Sequence, residues 1–302
     1  MAVISAGLVK DLREKTGVGM MECKKALEEN NGDIDASIKW LRERGMAKAA
    51  KKAGRIAAEG IVEVAFSPDG KTGAVIELNC ETDFSARNEA FTQFASSLGK
   101  VAISGKYQDL DQLNKAPMNG KTVDESLKEM IAKVGENMSI RRFQLANCPQ
   151  GGVFGYNHLG GKIGCLVVLE GVNPADSKAQ ELGKELAMHV AAAAPRYLTR
   201  DEVSQEEVDQ ERDIARTKLE QEGKAADMID KILSGHVNKF YKEICLIDQA
   251  YTRDPKLTID QVVKASGLGA KLIAFYRFAL GEGIEKKKEN FAEEVAAQSR
   301  LS

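Results

Sequence analysis

From residue 60 the apolar residues stop recurring at helical spacing and begin to recur at strand spacing, a change of period that limits the possible folds more than any other feature of the chain. Upstream, Leu8, Val9 and Leu12 begin a helical face, and the glycines of "TGVGM" interrupt it. "MECKKALEENN" resumes it, and "GDIDASIKWLRERG" ends it with Ile34, Ile38 and Leu41 behind Asp33 as N-cap. Three short helices are therefore expected between residues 4 and 45. Downstream, "GIVEVAFSPDGKTGAVIELNC" reads as two strands around an "SPDGK" turn, where Pro68 presets φ and Gly70 accepts a positive one. A helix over 89–104 should follow, with Asn88 at its start and Phe91, Phe94, Ala95 and Leu98 as its apolar stripe. A helix near "VDESLKEMIAKVGEN" and a strand at "SIRRFQLAN" complete this half.

The second half opens in the same way. "GGVFGYNHLGGKIGCLVVLEGVN" reads as another hairpin, followed by a helix through Leu182, Leu186 and Val190, so strand pair then helix occurs twice. Between this helix and a later one at "TIDQVVKAS" lies a charged helical hairpin, broken at Gly223. Its second arm carries Met228, Ile229, Ile232, Leu233, Val237 and Phe240. A strand at "AKLIAFYRFAL" and a tail with the makings of a helix end the chain. The expected class is α+β with antiparallel sheets. Residues 1–54 form a helical module with a basic linker, "MAKAAKKAGRIAAEG", whose helix-forming residues make it partly helical. Residues 55–150 form one core part, 151–198 with 246–281 a second, 199–245 an inserted helical hairpin, and 282–302 a C-terminal module.

Covalent chemistry has no foothold in the sequence. His158, His189 and His236 lie on different elements, without metal-ligand spacing to one another or to a cysteine. Gly17 and Gly19 precede Lys24 without the phosphate-loop spacing. The five cysteines are scattered, as reduced thiols of a cytosol would be. No apolar run reaches membrane-span length, and "MAVISAGLVKDLREK" lacks the pattern of a secretion signal, so a cytoplasmic location is expected. Neither an enzyme nor a cofactor or metal protein is expected. With a formal net charge of −2, no stable nucleic-acid or membrane partner is expected. An RNA-binding accessory protein is the alternative, resting on cations from Lys48 to Arg55, on Arg141 and Arg142, and on Lys286 to Lys288.

"LNCETDF" supplies the one local question. It sets Asp83 and Phe84 at a strand-to-helix corner, where Phe84 either tucks under the following helix or stands out as a tip that enters a partner.

Four segments, taken together, resemble the elongation factor Ts family. They are "LVKDLREKTGVGMMECKKALEENNGDIDASIKWLRERG" with "AKAAKKAGRIAAEG", then "NCETDF", "YNHLGGKIGCLVV" and "FYRFALGEGIEKKKENFAEEVAAQS". The resemblance implies a guanine-nucleotide exchange factor for elongation factor Tu, binding it in GDP-bound and nucleotide-free states. It also implies an N-terminal module similar to a ubiquitin-associated domain and a dimerisation hairpin. The loop matching Thr82, Asp83, Phe84 and Ser85 would insert near the partner's magnesium, with Met20, Met21, Lys24, His158 and Phe291 extending the interface. The family usually carries valine where this chain has Ser85, so less apolar support is expected beside the tip.

Overall fold

The fold, taken from a computed structural model, is described for residues 4–105 and 107–285. In chain order its elements are α1 (Ala6–Thr16), α2 (Met20–Glu29), α3 (Ile34–Lys52), β1 (Glu59–Phe66), β2 (Thr72–Cys80), α4 (Asp83–Ala86), α5 (Glu89–Gly105), α6 (Leu110–Lys115), β3 (Pro117–Met118), β4 (Lys121–Thr122), α7 (Val123–Val134), β5 (Met138–Asn147), β6 (Gly151–His158), β7 (Ile163–Glu170), α8 (Ser177–Ala193), α9 (Gln205–Gln221), α10 (Ala226–Ile244), α11 (Ile259–Ala265) and β8 (Lys271–Ala279). Antiparallel sheets of order β1-β2-β5 and β6-β7-β8 make this an α+β protein, as the change of period predicts.

The two sheets stack face to face. Because strand side chains alternate, β2 can serve two cores at once. Ala74, Ile76, Leu78 and Cys80 meet α5 and α7 on the outer face, while Val75 joins Val62, Val153, Leu166 and Val168 between the sheets. Every residue of β2 is buried. The sheets can approach because Gly164 leaves room: a Cβ there would come within 2.5 Å of Val62 Cγ1. On the far side, α8 and α11 cover β6-β7-β8 with Leu182, Leu186, Val190, Ile259 and Val263.

A β-bulge between Glu77 and Leu78 inserts Arg141 as the extra residue of β5, which re-aims its side chain. Arg141 and Arg142 then reach one carboxylate instead of pointing to opposite faces. Glu77, fully buried, accepts from Arg141 Nη1 at 3.0 Å, Arg142 Nε at 2.6 Å and the Gly281 N–H at 2.7 Å. Burial works to raise its pKa, but the Gly281 amide and the two guanidinium groups outweigh it and hold the acid below its ordinary value. Arg142 continues to Ala279 O and Glu282, so the end of β8 is tied to the first sheet. Arg141 and Arg142 are therefore committed to internal ion pairs, which removes two of the cations on which an RNA-binding reading rests.

The N-terminal helices differ from expectation in one respect. Asp33 caps α3 through the Ala36 N–H at 2.9 Å, as its position predicts, but the helix does not stop near Gly45. It runs through Met46 to Lys52, so the linker, expected to be partly helical, continues α3 without a break. It is held because α3 lies on α7: a Cβ on Gly45 would come within 2.8 Å of Ala132 Cβ, and Arg42 pairs with Glu125 and Glu129. Among the described residues no helix is long and apolar enough to cross a membrane. Phe291, Lys286 to Lys288 and the expected terminal helix lie outside the described residues.

Candidate functional site

The corner after β2 is built from polar side chains that bind backbone. Thr82, in extended conformation, caps the single-turn α4, its Oγ1 accepting from the Ser85 N–H at 3.3 Å. Glu136, on the connection from α7 to β5, accepts from the Thr82 N–H at 3.0 Å and from the Thr82 hydroxyl at 2.7 Å. Burial tends to raise the pKa of Glu136, but hydrogen bonds from the Thr82 and Ser85 side chains and from the amides of Thr82 and Glu81 prevail and hold it below the ordinary value. Glu81 answers in the reverse direction, accepting from the Asn137 N–H at 2.5 Å. Beneath, the Cys80 thiol donates to Thr82 O at 3.1 Å; burial and then the Glu136 charge push its pKa up to about 12, so it stays a protonated donor.

On this base Phe84 is 83% exposed, more than any other large apolar side chain among the described residues. Asp83 beside it is half-buried and accepts from Arg87 Nη2 at 2.8 Å. Ser85 is not part of the exposed tip. It is 7% exposed, its N–H donating to the Thr82 hydroxyl at 3.3 Å, so the side chain at this position lies beneath the tip. Asn88 opens α5, accepting from the Ala90 N–H at 2.9 Å.

A groove of about 1090 Å³ runs beside Phe84, lined by Arg55, Ile56, Glu59, Thr82, Asp83 and Lys162 among others. Lys162, paired with Glu59 at 3.0 Å, belongs to the β6–β7 turn, whose Gly161 lies against Ile61. That turn also carries His158, its Nδ1 3.0 Å from the Tyr156 hydroxyl, and Leu159, 72% exposed in left-handed conformation. At the C-terminal end of α7, Lys133 touches Gly17, which leads into α2 with Met20 and Met21 exposed, Met21 at 75%. Lys24, also on α2, is half-exposed beside Glu28 at 3.7 Å. Phe84, Met21 and Leu159 are thus the three most exposed large apolar side chains among the described residues, and a chain of contacts links their segments.

Sequence reasoning named Thr82, Asp83, Phe84, Ser85, Met20, Met21, Lys24, His158 and Phe291, but not Leu159, Glu81 or Glu136. Leu159 carried a signal, an apolar residue at the apex of "HLGG"; single glutamates carry none. Among the described residues no three His, Cys, Asp or Glu side chains converge on a possible metal position.

The family model described as Elongation factor TS matches residues 81–282, about two thirds of the chain, starting at the base of the tip. On that match the chain belongs to the elongation factor Ts family, whose role is guanine-nucleotide exchange on elongation factor Tu.

Proposed function

We propose that the Thr82 to Phe84 tip is the element of this chain that enters the nucleotide-binding domain of elongation factor Tu and weakens its hold on magnesium and GDP. The observation that carries the reading is the exposure of Phe84 on a corner whose backbone is held from below. A phenylalanine left in water is a burial contact in waiting, worth about 2 to 3 kcal/mol when a partner covers it. Magnesium requires near-ideal octahedral geometry, so a small displacement of the elements that hold it weakens metal and phosphates together. Linkage makes the effect reciprocal: binding of GTP by the partner expels the exchange factor.

One phenylalanine is not enough to offset a tightly held nucleotide. Met20, Met21 and Lys24 on α2, and His158 with Leu159 at the β6–β7 turn, supply further contact, and the groove beside Phe84, lined by Arg55, Glu59 and Lys162, receives the partner's surface. Phe291 would add to this interface from the C-terminal segment. Self-association through α9 and α10 is a separate part of the proposal. Ile229 and Leu233 are spent on Ala215 and Leu219 inside the hairpin, whereas Ile214, Met228 and Ile232 stay exposed. The work is placed in the cytoplasm, where translation occurs. The test is release of fluorescent GDP from purified elongation factor Tu. The full chain should accelerate release, and an unchanged rate would overturn the reading.

A further inference from the structure

The conformation of the tip cannot come from the tip itself. A helix of four residues is far below the length that sustains itself in water, and Phe84 contributes almost no packing to its own backbone. Something outside the segment must impose the turn. Besides the Cys80 thiol on Thr82 O and the packing of Ala86 on the core, the side chain that ties the turn from afar is Glu136, which lies 54 residues downstream.

We infer that Glu136 is a positioning residue for exchange: its carboxylate fixes Thr82, the cap of the turn, so that Phe84 is presented before the partner arrives. Its two oxygens take the Thr82 N–H and the Thr82 hydroxyl, and that hydroxyl in turn accepts the Ser85 N–H at 3.3 Å, so the turn that carries Phe84 is held through Thr82. Hydrogen bonds to an ionised acceptor are about twice as strong as neutral ones, so this one group can hold a segment with no core of its own. The Asn137 N–H returns the tie to Glu81, and Asn137 Nδ2 reaches Arg55 O at 2.7 Å, which prevents the α7–β5 connection from drifting away from the corner. A tip ordered in advance spares the complex the entropy of ordering it on contact.

The inference rests on the proposal that the tip drives exchange, and a double-mutant cycle separates the two. Glu136→Ala, Phe84→Ala and the double variant are compared by their GDP release rates from elongation factor Tu at saturating concentration, with folding checked by circular dichroism. Glu136→Ala should slow release by about tenfold, and the loss should vanish in the Phe84→Ala background, because a disordered presenter has nothing left to present. Amide exchange at Thr82 and Ser85 should quicken in Glu136→Ala. Multiplicative losses in the double variant, or undiminished release by Glu136→Ala while Phe84→Ala is slow, would overturn the inference and leave the exchange reading intact. Release unaffected by Phe84→Ala would instead remove the exchange reading, and the inference with it. Should Glu136→Ala not fold, Glu136→Gln, which keeps the shape and one acceptor, enters the same cycle with an intermediate loss expected.

Discussion

Each half of the core turns from a hairpin into a helix, but the two corners are built in opposite senses. After β7, residues 171–176 close on themselves. Val172 goes into the core, Asn173 accepts from the Ala175 N–H at 3.0 Å, and Asp176 caps α8 through the Lys178 N–H at 2.8 Å. Apart from the Gly171 N–H, which donates to Gln150 O at 2.9 Å across the hairpin, these bonds are local. After β2, residues 81–88 turn their largest apolar side chain outward and draw their support from Glu136 and Asn137, far along the chain. The fold permits a closed corner in both places, so the open one is a property of the first half's sequence. An exposed aromatic with distant supports is the mark of a segment shaped for something other than stability.

The comparison breaks or holds first on two phenylalanines seven residues apart. Phe91→Ala, which empties a fully buried site under α5, should cost about 3 to 5 kcal/mol, whereas Phe84→Ala should change stability by no more than about 0.5 kcal/mol. Denaturant titration of both variants decides it; equal losses would return Phe84 to the core. On exchange the order reverses. Phe84→Ala should slow GDP release from elongation factor Tu by at least about tenfold, since losing about 2 kcal/mol of contact in the transition state is worth more than a factor of ten, measured by stopped-flow fluorescence.

Acid should distinguish the halves next. His189, buried in the second half, lies 2.9 Å from Gln249 Oε1 through Nε2 and accepts the Thr252 N–H at 3.3 Å through Nδ1, and burial holds its pKa below the ordinary value. A depressed folded pKa means that the contribution is complete above about pH 6.5 and is lost as pH falls below it. Glu77, in the first half, is also depressed, but its contribution is lost only below about pH 4.3. Between those values amide exchange should quicken around residues 249–252 before it does in β2. The smallest effect concerns Ser85. Ser85→Val puts a larger side chain at a nearly buried position beneath the tip, so calorimetry should show a loss of about 1 kcal/mol and partner titration no gain in affinity.

What could be read in advance follows from the range of each interaction. The Pro68–Gly70 turn, the Asp33 cap and the helix behind Asn88 are set within four residues, and the structure has all of them. The last turns of α3 were half legible: alanine and lysine favour helix but give no apolar stripe to say where it packs, and their fit to α7 depends on smallness, with Gly45 beside Ala132 and Ala49 buried. The tip was half legible. "NCETDF" located it, but whether Phe84 faced inward depended on Glu136, whose relation to Thr82 no spacing announces. The Glu77 cluster was invisible, because it depends on a bulge that turns Arg141 to the side of Arg142.

That cluster also orders events during synthesis. A ribosome delivers Glu77 first, Arg141 and Arg142 some 64 and 65 residues later, and Gly281 only 204 residues later. The emerging first sheet can neutralise its buried acid with arginines of its own strand pair, so it need not wait with a bare charge. The last amide arrives with the final strand, after the whole α9–α10 excursion has been made. Closing the ring of donors around Glu77 therefore marks the moment at which the second sheet is complete and seated, and a nascent chain halted before residue 281 carries a first half whose central acid is paired but not yet sealed.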